Sequence, residues 1–495
     1  MNSPPGCKAT SRHHNRFALA GKNFARPQFR RMDEAAKAPV TWTDAGAIAL
    51  ERAPRYIICF LIFYAPFCYG LRNGAGEGTF VTMGFTAFFL FCWKAFLDGR
   101  WPRVPAWLLF CMTLIAAQGL WMTLNADSYY RWHRELITIR ILETAPFPNL
   151  PGARDRIAAP IQFYPQLAVF CLMLIVINMK PHFRRQLIIV MSICVVLFAG
   201  TGIVMKLAGP ALLQFFWAFE NETFYKSVFA SYRYHGNAAT FLAMGLALTL
   251  SLLLRGRREE NHLLTISGST GSVLVGIAVF LNTSRAGWIL ALIVVALYAP
   301  ALLSGFLTLD RSDGTRASRI ATLVIAVVAA LCAIAALFTS DMSFRLGRLQ
   351  SLSQSVANRF PLAIFLEMIP DTPMLGFGPG AFPMVFPKYQ LANPGIYPAN
   401  LHLNEAHQDY FQLFFDWGYI GFVCWMAIFL VPPGALLFTS RRRLSAEHHA
   451  CFVAVFVVLI HATLDFPLQV TSLLFFFGMY LAIPICSPDP KTRAP

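Results

Sequence analysis

The sequence is poor in charged residues. Only 13% of its 495 residues are Asp, Glu, Lys or Arg, whereas 56% are hydrophobic, and the mean hydropathy is +0.53. Soluble domains carry about 25% charged residues, so this composition excludes an ordinary soluble protein and predicts an integral membrane protein. The excess of 41 basic over 25 acidic residues gives a net charge of +16. Because the basic residues cluster at the ends of apolar runs, they indicate membrane topology and contacts with anionic lipid, not nucleic-acid binding.

Motifs for metal, nucleotide or disulfide chemistry are also missing. The 11 cysteines include no CxxC pair and lie mostly within apolar runs, so we expect them to pack as small apolar side chains. The glycine-rich segment DTPMLGFGPGAF has neither the strand–helix context nor the lysine of a P-loop. The acidic residues lack the spacing of metal ligands. We therefore expect no metal and no cofactor.

Apolar runs that approach the roughly 20 residues needed to cross a bilayer fill most of the chain. They predict an all-α integral membrane protein with about twelve transmembrane helices, nine within 46–338 and three within 417–486. The predicted spans are Tyr56–Gly70, Thr79–Leu97, Ala106–Leu124, Ile161–Met179, Gln186–Leu207, Asn237–Leu254, Gly271–Asn282, Gly287–Leu307, Ile320–Phe338, Trp417–Phe438, Ala450–Leu464 and Leu468–Ile485.

Lys and Arg in the short loops predict the orientation. Residues 1–45 are basic and lack the apolar core of a signal peptide, so we interpret them as a disordered cytoplasmic tail. Every inside loop is then basic, and 487–495 is cytoplasmic as well. Loop 125–160 and the large loop 339–416 fall on the outer face. The outer turns hold Arg72 and Arg285, and Arg233 and Arg285 each sit at the outer edge of an apolar span, where an arginine needs a partner or a snorkelling explanation.

Two arginine segments are candidates for anion binding. Arg285 lies in NTSRAGWIL, in a very short turn between spans. It either snorkels to the interface or offers a planar bidentate fork to a phosphate. Arg233 lies in SYRYHGNAATFLA with His235 and Asn237, directly before a span. An anion is favoured at such a helix start. Taken alone, however, the segment is better explained as an ordinary polar entry to the helix, with Asn237 as its cap.

Two histidine segments are candidates for acid–base chemistry. The neutral imidazole of His407, in NEAHQDYFQ, could accept a proton from a sugar hydroxyl, with Glu405 and Asp409 near enough to orient it. An inert loop histidine is the alternative. His461 and Asp465, in HATLDFPLQ, are spaced i, i+4 on one helix face. This pair is either functional or a structural contact between helices.

The motifs SRAGW, ANRFPLAIFLEMIPDTPMLGFGPGAFPMVFPKY, EAHQDYFQLFFDWGYIGF and HATLDFPLQ, in this order, resemble the O-antigen ligase family. The resemblance extends from roughly Arg233 to the C-terminus. The family includes lipid A-core O-antigen ligases and related surface-polysaccharide polymerases. Membership implies a GT-C-like protein of the bacterial inner membrane with cytoplasmic termini and a large periplasmic loop. The chain departs from the family pattern at Gln408, where Asn is usual, and at Asp416, where Glu is frequent.

The resemblance also implies a reaction. Family members transfer a glycan from an undecaprenyl-pyrophosphate carrier to an acceptor hydroxyl, with inversion and without metal. His407 matches the family's catalytic histidine, and Arg285 and, as a compact variant, Arg233 match its pyrophosphate-binding arginines. The expected partners are the lipid-linked glycan donor, a lipid or glycan acceptor and membrane lipids, with no nucleic acid. Secondary candidates for the site are Arg345, Arg359, His461, Asp465 and Asp409.

Other functions fit the same sequence. A surface-polysaccharide polymerase of this family would use the same chemistry on a different acceptor. A solute or lipid-linked-glycan transporter would also have many spans, but transporters place polar breaks near the bilayer midplane. Because the charges of this chain gather at one face, beside its longest loop, the pattern favours chemistry at the outer surface.

Overall fold

The computed structural model describes residues 42–72, 74–99, 101–133, 137–208, 228–307, 360–397, 402–439 and 445–485. Within these ranges the chain forms thirteen α-helices and a two-stranded sheet. The contacts reported below lie within the compact unit Ala47–Pro495. The predicted span Ile320–Phe338 and the secondary candidates Arg345 and Arg359 fall outside the described residues.

The helices are numbered in chain order. Their bounds are α1 Trp42–Phe67, α2 Gly74–Leu97, α3 Ala106–Leu124, α4 Ala158–Ile177, α5 Pro181–Ala208, α6 His235–Arg258, α7 His262–Leu281, α8 Arg285–Leu307, α9 Leu362–Asp371, α10 Phe382–Ala392, α11 Asp409–Thr439, α12 Ala446–His461 and α13 Thr471–Ile485. The strands are β1 Ser128–His133 and β2 Ile137–Leu142.

Eight helices of the described part are long and apolar enough to cross a membrane, judged by length and composition: α2 to α8 and α11. Helices α12 and α13 are apolar but shorter. Each predicted span that falls in the described residues overlaps a helix. The chain is therefore a mostly helical membrane protein, as the composition predicts, whereas the number of twelve spans stays a prediction.

Helix α6 is the most buried span, and it packs against α5, α7, α8 and α12. Small residues let its neighbours come close. A Cβ atom on Gly245 would lie 2.0 Å from Cγ1 of Val195 on α5. A Cβ atom on Gly268 of α7 would likewise collide with the backbone of Leu253 on α6. Close backbone approach through small residues is how helices pack where lipid supplies no hydrophobic driving force. The start of α6 is thereby fixed among its neighbours.

The loop predicted at 125–160 contains a β-hairpin, an element that the all-α expectation does not include. Strands β1 and β2 pair antiparallel from Ser128 opposite Leu142 to His133 opposite Ile137. The carboxylate of Asp127 holds the base of the hairpin, because it accepts from Arg140 at 3.1 Å and from Arg154 at 2.5 Å. The alternation of aromatic and aliphatic with polar residues in SYYRWH and ITIRIL is the local signal for these strands.

Residues 360–397, which we call the lid, hold α9 and α10 around an aromatic cluster. The ring of Phe365 lies 5.5–5.9 Å from the rings of Phe382, Phe386, Phe411 and Phe415. The first two turns of α11 thus belong to the core of the lid. The helix kinks at Gly418, where φ is 62°. A side chain there would collide with the backbone of Gly376, so the kink depends on glycine. The predicted span Trp417–Phe438 begins at this kink.

Candidate functional site

His407 lies in a short loop that ends at the first residue of α11. Its backbone is in the left-handed region, with φ at 50°, a conformation that costs free energy for a residue with a side chain. Hydrogen bonds on both sides hold the loop. Ala406 N donates to Gln412 Oε1 at 2.9 Å, and Asp409 N donates to the carbonyl of Ala462 at 2.9 Å. The surrounding structure therefore fixes the direction of the His407 side chain.

The imidazole of His407 pairs with the carboxylate of Asp465. Nδ1 of His407 lies 3.1 Å from Oδ1 of Asp465, and the ring packs edge-on against Phe466 at 4.9 Å. A carboxylate can only accept, so Nδ1 carries the proton and Nε2 of the neutral ring keeps a lone pair. His407 is half-buried, so Nε2 is the nitrogen left to meet a substrate.

Asp465 is buried but well supplied with donors. Tyr234 donates its hydroxyl to Oδ2 at 2.8 Å, and the backbone N–H of Phe466 donates to Oδ1 at 3.1 Å. Burial works to raise the pKa of the Asp465 carboxyl, but the hydrogen bond and charge of His407, the charge of His461 and the Tyr234 hydroxyl outweigh it and lower the pKa. The carboxylate is therefore held in its charged form.

His461 approaches the same carboxylate from the end of α12. Its Nε2 lies 3.6 Å from Oδ2 of Asp465, and its Nδ1 lies 2.6 Å from Oγ1 of Thr240 on α6. The predicted i, i+4 contact thus exists, but not on one helix face, because α12 ends at His461 and Asp465 lies in the turn that follows. Thr240 and His461 are both buried. Their contact joins α12 to α6 and holds His461 against the Asp465 carboxylate.

Arg233 and Arg285 stand at the starts of two adjacent helices. Arg285 is the first residue of α8, and Arg233 precedes the first residue of α6, His235, by two positions. Asn282 Nδ2 donates to the carbonyl of His235 at 2.8 Å, which joins the two helix starts. Helix starts carry partial positive charge, so this end of α6 and α8 favours an anion.

The start of α6 also reaches the histidine pair. Tyr234, the residue after Arg233, is the one that donates to Asp465. A Cβ atom on Gly236 would lie 2.8 Å from Oδ2 of Asp465, so the α6 backbone and the carboxylate are in direct contact. The structure therefore brings Arg233, the start of α8 and His407 to one end of the helices, which we call the His407 end.

Asp409, a secondary candidate, contacts neither histidine through its side chain. Its Oδ2 accepts from the backbone N–H of Leu468 at 2.8 Å, and the residue is fully buried. Asp409 thereby fixes the start of α11 against the segment that follows α12. Asp465, 58 residues from His407, supplies the carboxylate that Glu405 or Asp409 was expected to provide.

Arg72 belongs to this end of the molecule and is not among the site residues predicted from the sequence. Its Nη2 lies 2.6 Å from Oε1 of Glu405, two residues before His407, and its guanidinium lies 5.9 Å from the centre of the Phe466 ring. A tight turn presents it: Gly70 has a φ of 65° and packs on the ring of Tyr232. The sequence contained one signal for this role of Arg72, namely an arginine in a turn predicted on the outer face.

Within the described part of the chain, no group of three His, Cys, Asp or Glu side chains could hold a metal ion. The chemistry that the described residues offer is proton transfer at His407 and anion binding near Arg233 and Arg285.

Comparison with known proteins identifies the region that carries this site. No curated protein matches the chain. Residues 270–426 match the family model described as O-Antigen ligase. The match begins before Arg285 and ends after His407, and it agrees with the resemblance stated from the motifs. The part of the chain that carries Arg285 and His407 is therefore similar to the O-antigen ligase family.

Proposed function

We propose that this protein is a glycosyltransferase that moves a glycan from an undecaprenyl-pyrophosphate carrier to the hydroxyl of an acceptor, lipid A-core or a similar glycolipid. It acts in the bacterial inner membrane as a GT-C-like enzyme. The His407 end faces the periplasm, and both termini are cytoplasmic. This orientation is supported by the basic residues at the opposite end of the spans, such as Arg184, Arg255 and Arg258.

His407 acts as the general base of this reaction. The acceptor hydroxyl gives its proton to Nε2 of His407, and its oxygen attacks the anomeric carbon of the donor sugar from the face opposite the pyrophosphate. The bond from the anomeric carbon to the pyrophosphate oxygen breaks, and the configuration inverts. Asp465 holds the required tautomer and stabilises the imidazolium that forms.

Arg233 and Arg285 bind the pyrophosphate of the donor. Arginine offers bidentate hydrogen bonds to phosphate oxygens and remains charged at any physiological pH. As the carrier departs, negative charge grows on its terminal phosphate, and fixed guanidinium groups next to two helix starts stabilise that charge. Two such groups and a good leaving group suffice for transfer without a metal in this proposal.

The lid positions the acceptor and limits water, so that transfer is faster than hydrolysis. Its aromatic core includes the first turns of α11, the helix that begins two residues after His407. A movement of the lid would therefore displace the loop that carries His407.

One observation carries the proposal: a half-buried histidine, paired at 3.1 Å with a buried carboxylate, at the same helix ends as two arginines. This combination suits a base beside an anion site. It does not suit a passive structural contact, which would bury the imidazole completely.

The test is His407→Ala in the full chain, purified and reconstituted with a lipid-linked glycan and an acceptor glycolipid. Transfer should fall by about 10²–10⁴-fold, because proton removal from the hydroxyl is lost. The matched control is His402→Ala, an exposed histidine of the same loop, which should keep the wild-type rate. Unchanged transfer by His407→Ala, or movement of the donor across the membrane without formation of a glycosidic bond, would refute the proposal. Formation of longer glycans on the carrier would identify the polymerase reaction instead.

A further inference from the structure

A second surface at the His407 end consists of a compact apolar turn beside α3. The nine residues Thr144–Gly152, TAPFPNLPG, contain no charge and three prolines. Phe147 and Leu150 are large apolar side chains of this turn, and they are 55% and 52% exposed. We call Pro146–Pro151 the PFPNLP turn.

The turn is held in place by a buried asparagine. Asn125, directly after α3, donates from Nδ2 to the carbonyls of Phe147, Leu150 and Pro151 at 3.0–3.2 Å. Its Oδ1 accepts from Phe147 N at 2.8 Å. Four hydrogen bonds from one side chain show that the exposure of Phe147 and Leu150 is a built feature of the turn.

Two further contacts join the turn to the end of α3. Trp121 donates from Nε1 to the carbonyl of Pro151 at 2.9 Å, and its ring stacks on Phe147 at 5.4 Å. A Cβ atom on Gly152 would lie 1.7 Å from the carbonyl oxygen of Asn125, so only glycine allows this close approach. The turn is therefore continuous with a candidate membrane span.

The exposed face of α3 leads to the turn. Leu120 and Leu124, in the last two turns of this span, are exposed large apolar residues. The ring of Trp121, on the same helix turn, stacks on Phe147 and joins the turn to this end of α3. A surface of Phe, Leu, Pro and Trp at the end of a span is typical of the boundary between headgroups and acyl chains.

We propose that the PFPNLP turn inserts into the bilayer interface at the His407 end, with Phe147 and Leu150 among the acyl chains. Asn125 keeps the turn's backbone hydrogen-bonded there, where water is scarce. The segment after the turn binds the lid, because Arg154 N donates to the carbonyl of Phe377 at 2.8 Å. The turn therefore sets the depth of the base of the lid relative to the membrane surface. This inference does not depend on the proposed reaction.

The test places the photo-crosslinker p-benzoylphenylalanine at Phe147 or, in a second variant, at Leu150, which has no ring contact to lose. The full chain is reconstituted in vesicles of phosphatidylethanolamine and phosphatidylglycerol, irradiated and analysed by mass spectrometry for phospholipid adducts. The reference inside the membrane is Phe110, an exposed residue of α3, and the reference in water is Lys388, an exposed residue of the lid.

We expect phospholipid adducts at Phe147 and Leu150 at a yield close to that of Phe110 and at least about tenfold above that of Lys388. A yield at both positions no higher than that of Lys388 would overturn the proposal. Adducts with a second copy of the chain or another polypeptide, in place of phospholipid, would also overturn it, because the turn would then be a protein interface.

Discussion

The loop that carries His407 and the helix end that carries His461 lie on two sides of the Asp465 carboxylate. The His407 side chain is 21% exposed in a strained loop, whereas the His461 side chain is 1% exposed in a regular helix. His407 gives Nδ1 to the carboxylate and keeps Nε2 for a substrate. The Nδ1 atom of His461 pairs with Oγ1 of Thr240, and its buried Nε2 lies 3.6 Å from Oδ2 of Asp465.

This difference teaches that contact with the same carboxylate does not give two histidines the same role. Only a histidine that retains an accessible nitrogen can take a proton from an acceptor hydroxyl. The buried histidine instead fixes the position of the carboxylate. Buried polar networks of this kind are rigid and hold the geometry of their members. Five predictions test the different roles of these residues and of the groups that hold them in place.

The largest effect is expected from Asp465→Asn. The amide can donate to Nδ1 of His407, which would move the ring proton to Nε2 and remove the base. We expect transfer to fall by about 10²–10⁴-fold, as for loss of the base itself. Initial rates of glycan transfer measure it, with Asp371→Asn, an exposed lid carboxylate, as the unchanged control. A rate close to that of the wild type would show that His407 does not depend on Asp465.

Gly236→Ala should have the next largest effect. The added Cβ would lie 2.4 Å from the Tyr234 ring and 2.8 Å from Oδ2 of Asp465, so both must move. A displacement of about 1 Å can reduce the rate by about 10²-fold. Gly276→Ala on α7 is the matched control, because no atom lies within 4 Å of the new methyl group. Equal rates for the two variants would mean that the position of Asp465 is not critical.

His461→Ala should affect stability more than the rate. Thr240 would lose its hydrogen bond with His461 and a small cavity would form, at a cost of about 1–3 kcal/mol to the free energy of unfolding. Thermal unfolding in detergent measures this loss. Per folded molecule, transfer should fall less than for Asp465→Asn. A loss of rate as large as that of Asp465→Asn would contradict the positioning role and would place His461 in the chemistry.

A smaller effect is expected at the Arg72–Glu405 ion pair, which holds the His407 loop from the α1–α2 turn. The Arg72 side chain is 43% exposed, and a pair open to solvent contributes on the order of 0.2–1 kcal/mol. Arg72→Gln or Glu405→Gln should therefore reduce transfer only a few-fold. The double variant Arg72→Glu with Glu405→Arg should recover part of the loss if the pair positions His407. Failure of the swap to recover any activity would indicate that the charge of Arg72 acts on the substrate itself.

Local patterns predicted the helices better than the contacts between them. The span Ala106–Leu124 matches α3 because its apolar run is bounded by Pro105 and Asn125. The span predicted at Gly271 begins nine residues too late, since α7 starts at His262 in a polar stretch. That stretch is helical because Asn261 caps it and Gly268 packs closely on α6. Hydropathy does not register either contact.

The site shows the same division. The spacing of His461 and Asp465 predicts their contact. Although α12 ends at His461, the next turn keeps the i, i+4 spacing, with Asp465 N donating to the carbonyl of His461 at 2.9 Å. The contact of His407 with Asp465 spans 58 residues, and that of Arg72 with Glu405 spans 333. Both contacts depend on how α11, α12 and the turn between α1 and α2 pack together. A periodic pattern in one segment carries no information about such packing.

The smallest effect is a pH dependence that belongs to Asp465 alone. Its pKa in the folded protein is lowered below the ordinary value of 3.8, so the unfolded chain takes up this proton first as the pH falls. The stabilisation from this carboxylate is complete above pH 3.8 and disappears as the pH falls through the lower folded pKa. The difference in unfolding temperature between the wild type and Asp465→Asn should therefore be constant near neutral pH and shrink only below pH 3.8. If the difference already shrank between pH 7 and pH 5, the stabilisation would not come from the Asp465 carboxylate.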